Sequence, residues 1–124
     1  MSSLAINADT VTVTDQDRRA VVAREVRIAK SPWSRFLGLM GRRSLREGEG
    51  LLLIPGGSIH TLFMRFPIDV FFLDKEWRVQ KVARNVKPFR LAFARRGVRA
   101  VLEVPAGTAA AIGAEQGDTL LISV

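Results

Sequence analysis

The chain has 124 residues, 48% of them hydrophobic and 25% charged, with a formal net charge of +7 and no cysteine. That size and balance fit one folded domain with a sizeable core, and they exclude a disordered chain, a disulfide scaffold and a thiolate metal centre. Fifteen of the nineteen cations are arginine; such a surface either draws phosphates, nucleic acid or anionic ligands through its field or serves solubility alone.

The segment from Met1 to Thr10 has no basic region and no apolar run, so no signal peptide is expected there. No stretch approaches the roughly eighteen consecutive apolar residues of a membrane span. The expected setting is cytoplasmic. Residues 1–22 read as an N-terminal segment, with a strand that can belong to the same domain, and 23–124 as a single globular domain without repeats or linkers.

Thr10–Thr14 alternates with period two and is rich in β-branched residues, which predicts a strand. Val21–Ala29 alternates again, and Asp15-Gln-Asp17 between the two fits a hairpin turn. Ser31-Pro32 opens a helix, with Ser31 as cap and Pro32 at the first helical position, where its missing N–H costs nothing. Trp33, Phe36, Leu37 and Met40 then share one face. The stretch from Arg42 to Gly50 is polar and glycine-punctuated. Leu51–Ile54 is a short apolar run stopped by Pro55-Gly-Gly57.

Ser58–Met64 and Ile68–Leu73 predict two strands interrupted at Phe66-Pro67. Asp74-Lys-Glu76 is a turn, and Trp77–Ala83 alternates as the partner strand. Lys87–Arg99 is basic and less regular, Ala100–Val104 is a strand, and Gly107–Ile112 is a turn or two of helix capped by Thr108 and stopped by Gly113. Thr119–Val124 closes the chain as a strand. About seven strands and two short helices give an α+β fold, strand-rich, on a curved or partly closed barrel-like sheet.

Four motifs in fixed order carry a family likeness: Arg35-Phe-Leu-Gly-Leu-Met40 with arginine and an apolar run after it, the block Ile59–Asp74, Val101-Leu-Glu-Val-Pro-Ala-Gly107, and Gly117-Asp118. Together they resemble the family known as domain of unknown function 192, from about Ala23 to Val124. The resemblance implies a small strand-rich fold and no assigned activity. Many members look exported, which this sequence does not. The commoner family version of the central block reads phenylalanine-tryptophan-methionine-lysine-asparagine-threonine. Here His60-Thr61 precede and Met64-Arg65-Phe66 stand in its place, so no role of that asparagine carries over.

Asp69 is the most informative residue, because every neighbour in Ile68-Asp-Val-Phe-Phe-Leu73 is apolar. A buried carboxylate must pair, protonate or face a cleft. Arg65, His60 and one of Arg35 or Arg42 are the partners on offer, and strand alternation puts His60 and Met64 on one face. The alternative is a structural role, in which Asp69 caps the turn after Pro67 or fixes Arg35 in an ion pair. Glu103 alternates with Arg99, which predicts a solvated face and a surface ion pair, with a site carboxylate as the second reading. Asp118 in Gly117-Asp118 reads as a turn residue bonding its own backbone. His60 is the single histidine, so no zinc set exists and no metal or other cofactor is expected.

The function expected on these grounds is a small binding or accessory module. Its polar cleft near Asp69, lined by His60, Met64, Arg65, Asp69, Arg35 and Glu103, would take a small polar or anionic ligand or a peptide. The alternative is nucleic-acid or acidic-surface binding through segment 84–99, where Phe89 and Phe93 interleave with Lys87, Arg90, Arg95, Arg96 and Arg99. A hydrolase-like enzyme using His60 and Asp69 is weaker, because no activated nucleophile can be named. An unidentified small molecule or protein is the expected partner.

Overall fold

A computed structural model describes residues 10–29, 45–54, 58–60, 66–87, 91–93 and 96–124, with only the backbone at 58–60 and 91–93. The strands are β1 (Thr10–Asp15), β2 (Ala20–Ala29), β3 (Glu49–Leu53), β4 (Ser58–His60), β5 (Ile68–Leu73), β6 (Val79–Val86), β7 (Leu91–Phe93), β8 (Ala100–Pro105) and β9 (Leu120–Ser123), with one short helix, α1 (Thr108–Ile112), before β9. Seven strands form one sheet in the order β6-β5-β8-β3-β2-β1-β9, and β4 pairs with β7 apart from it. Among the described strands, only β2 and β3 run parallel.

The sheet curls into a half-barrel, which brings its two edges together. Arg78, just before β6, bridges Thr119, just before β9. Around it Val79 N–H donates to Asp118 C=O at 2.7 Å, Gly117 N–H to Val79 C=O at 2.8 Å, and Leu120 N–H to Trp77 C=O at 2.9 Å.

Alternation along each strand sends apolar side chains to both faces. Val13, Val26, Leu52, Phe71, Leu73, Leu102 and Val104 fill the inner face, where Ala109 of α1 and Ala114 beyond it close the core. Leu51, Leu53, Ile68, Val70, Phe72 and Val101 make a second core on the outer face. Every residue of β5, Asp69 included, is therefore buried, as a run with apolar side chains on both faces implies. Gly50 sits where β3 and β8 approach closely: a Cβ there would lie 3.1 Å from the Glu103 carbonyl oxygen and 3.2 Å from Val104 Cγ1.

The structure adjusts several expectations. More strands are described than the seven expected, and one helix among the described residues; the predicted helix at Ser31–Met40 lies outside them. The strand expected from Trp77 begins at Val79, because the Asp74 carboxylate accepts N–H bonds from Glu76 and Arg78 and carries the turn through Trp77, whose φ is 63°. Thr108 does not cap α1. Gly107 occupies the cap position in a left-handed conformation, and the Thr108 hydroxyl donates to Pro105 C=O at 2.7 Å. Among the described residues, no helix is long and apolar enough to cross a membrane.

Candidate functional site

Asp69 points to the inner face, opposite Val104 in the β5–β8 register. The β5–β6 register slips between Ile68–Val86 and Val70–Ala83, leaving Arg84 and Asn85 as a bulge across from Asp69. Asn85 sits at φ 53°, a left-handed geometry that asparagine tolerates. Its N–H donates to Asp69 Oδ1 at 2.8 Å. Asp69 Oδ2 accepts Gly107 N–H at 3.1 Å and Ala109 N–H at 2.9 Å. One carboxylate thus ties the bulge to the first turn of α1, capping that helix from another strand. The partners expected for it are side-chain cations; the bonds found are to backbone amides, and they run to α1 and β6 rather than to the turn after Pro67.

Glu103 is on the opposite face of the sheet. It stands across from Val70 on β5 and Leu51 on β3, both in the outer core. It is 6% exposed, which overturns the expected solvated face, since β8 is an interior strand rather than an edge. No hydrogen bond or ion pair joins its carboxyl to any described residue. Burial alone pushes that carboxyl up to about 7. Asp69 and Glu103 therefore do not line one cleft, being separated by the thickness of the sheet.

The remaining candidates are located more coarsely. His60 ends β4 opposite Leu91, and its side chain lies outside the described residues, as do Arg35, Met64, Arg65, Arg90 and Arg95. Lys87, Arg96 and Arg99 are exposed. On the outer face, Lys81 sits over the Phe72 ring at 5.5 Å.

A second acidic group gathers where the β1–β2 turn meets the segment before β9. Asp118 does not bond its own turn alone. It receives a two-pronged contact from Arg18, Nε to Oδ2 at 3.0 Å and Nη2 to Oδ1 at 3.1 Å, with Glu115 N–H on Oδ2 at 3.0 Å. Burial raises its proton affinity, but the Arg18 guanidinium, the adjoining Asp15 carboxyl and the Glu115 amide outweigh burial and hold its pKa below the ordinary range. Asp15, beside it, is raised to about 6, first by burial and then by the adjoining Asp118 carboxylate. Sequence reasoning missed this group. Asp15-x-Asp17 was a usable signal, but its third member is a hundred residues away.

Fold and site together define a small curled-sheet module carrying a buried acid with no partner among the described residues, and comparison with known proteins gives the family. The model of the DUF192 family, described as an uncharacterized ACR, matches residues 11–122. The chain belongs to that family. A UPF0127 protein of Pyrococcus horikoshii is 37% identical over 99 residues, covering 77% of this chain and 85% of its own length. A solved structure of a protein of unknown function from Novosphingobium aromaticivorans superposes with a TM-score of 0.78 at 30% identity, covering 90% of this chain and 83% of that one. Another, from Sinorhizobium meliloti and named a candidate transcription regulator, gives 0.79 at 25% identity over 90% and 91%.

Proposed function

We propose that the chain is a non-catalytic binding module, cytoplasmic in setting, whose ligand site is built around Glu103 on the outer face of the half-barrel. One observation carries the reading: a glutamate 6% exposed meets neither cation nor donor among the described residues, whereas Asp69 and Asp118 are well supplied. An unpaired buried acid is costly, and a ligand that supplies the missing partner recovers that cost. With a pKa of about 7, the carboxyl can donate to a carbonyl or accept from an amide or hydroxyl near neutrality. Val70, Leu51 and Val101 around it favour a ligand with a small apolar body. A short peptide or a small polar metabolite has both properties.

Thermal-shift screening of a metabolite and dipeptide library tests this. The expected result is at least one compound that raises the melting temperature of the wild type and has little effect on Glu103→Gln. Stabilisation that persists undiminished in the variant, or no stabilising compound, would remove the proposal. Asp69→Asn does not serve as the diagnostic variant, because that carboxylate holds the bulge and the helix.

A second reading, nucleic-acid binding, draws on the name of the Sinorhizobium meliloti neighbour and on the exposed Arg96 and Arg99. Phosphate contacts release counterions, so such binding to an RNA or DNA oligonucleotide would weaken steeply with salt. A ligand at Glu103 would show little response.

A further inference from the structure

Asp15, Asp17 and Asp118 each offer a carboxylate oxygen, and the three oxygens lie within 4.8 Å of one another. An acidic cluster alone is commonplace, but one atom here sets this cluster apart. Asp15 is 0% exposed. Its Oδ1 accepts Asp17 N–H at 3.0 Å and Arg18 N–H at 3.1 Å, forming the turn. Its Oδ2 is buried and accepts nothing from the described residues. Leaving such an oxygen dry and unpaired is unfavourable by kind, and the Asp17 and Asp118 carboxylates gather beside the same side chain.

We infer that Asp15, Asp17 and Asp118 form a binding site for a hard divalent cation of the calcium class. Lone-pair accounting permits it, since a carboxylate has about four acceptor positions. Both positions on Asp15 Oδ2 are open. Asp118 Oδ1 spends one on Arg18, and Asp17 Oδ2 spends one on Thr119 N–H. The span permits a shared ion, because oxygens within 4.8 Å of one another can all reach one Ca2+ at about 2.4 Å. All donors are oxygen, which suits Ca2+ or Mn2+ and not a thiolate- or imidazole-seeking metal. Charge agrees as well: three carboxylates against the one guanidinium of Arg18 make a negative spot on a chain of net +7.

The site is held from three directions. Asp15 ends β1, Asp17 lies in the β1–β2 turn, and Asp118 precedes β9, with Gln16 N–H bonded to Thr119 C=O at 2.9 Å between them. A bound cation would pin the turn to the last strand. Arg18, whose side chain is 35% exposed, competes for Asp118, so moderate affinity is expected.

The test uses the whole chain stripped of metal with a chelator, then titrated with Ca2+ and, as a paramagnetic probe, Mn2+. The expected results are saturable Ca2+ binding by calorimetry, loss of the free Mn2+ resonance signal, and a melting-temperature rise on the order of 5–10 °C at a hundredfold excess over Kd. Asp15→Asn and Asp17→Asn should each weaken Ca2+ about tenfold by removing a ligand charge. Asp17 is exposed, and its asparagine keeps an acceptor for Thr119 N–H, so that variant folds whatever happens to Asp15→Asn. No response to millimolar Ca2+ and Mn2+ would overturn the inference, leaving a proton shared by Asp15 and Asp118. Equal binding by the wild type and Asp17→Asn would overturn it too.

Discussion

A carboxylate taken out of water needs donors, a cation or a proton, and Asp69 and Glu103 meet that need differently from two faces of one sheet. Asp69 has three backbone N–H bonds. Asp69→Ala leaves the buried Ala109 N–H and the partly buried Asn85 and Gly107 N–H groups without their acceptor and should cost about 3–5 kcal/mol, from typical penalties for unsatisfied donors; the urea midpoint measures it. Glu103 has no such donor among the described residues. Its folded pKa near 7 stands above an ordinary 4.5, so the folded state binds the proton more tightly than the unfolded chain does. The sign follows: stability is highest below about 4.5, falls as pH rises, and levels off above about 7, a loss on the order of 3 kcal/mol. Asp74 and Asp118, whose pKa values are lowered, stay ionised across that window and add no slope, whereas Asp15, raised to about 6, adds a loss of the same sign that Glu103→Gln keeps. Urea midpoints between those pH values should decline in the wild type and stay flatter in Glu103→Gln; equal slopes would show that the acid is paired after all. The sequence made Asp69 conspicuous through its apolar neighbours but hid its partners, because backbone amides have no residue signature. Glu103 stayed inconspicuous because its alternation with Arg99 suggested water, while the pairing of β8 on both sides is a property of topology.

Elements with a purely local cause were legible, and those shaped by a distant side chain were not. The apolar runs of β5 and β8 and the glycine after α1 located themselves. The start of β6 and the cap of α1 depend on where the Asp74 and Asp69 oxygens reach, which propensity cannot register. The close approach of β3 to β8 is another hidden feature. Gly50 reads as a loop residue beside Gly48, yet it lies in a strand with Val26 Cγ2 3.3 Å from where a Cβ would stand. Gly50→Ala should therefore destabilise by about 1–3 kcal/mol through crowding, seen as a lower melting temperature. Its φ is not in the left-handed region, so strain does not contribute. A neutral or stabilising alanine would mean that β3 and β8 separate more easily than the ladder suggests.

At the scale of the whole molecule, the half-barrel depends on a seam between strands far apart in sequence. β6 and β9 are the two edges of the sheet, and the bonds from Val79, Gly117 and Leu120 bring them together. The curved, partly closed sheet was legible in the sequence, but which strands meet at the seam was not, nor was the approach of Asp118 to Asp15; both arise from curling of the sheet. Gly117 is the sensitive point, with a φ of 97° and no atom within 4 Å of where a Cβ would stand. Gly117→Ala thus strains the backbone without a clash, at a cost of about 1 kcal/mol. If the seam opens as its own unit, native-state hydrogen exchange will quicken at Val79 and Leu120 in this variant. Leu52, in the β3–β8 ladder, will then change only as much as global stability does. Equal acceleration at all three amides would mean instead that the seam and the central ladder open together, and that edge contact is part of what makes the sheet fold as one piece.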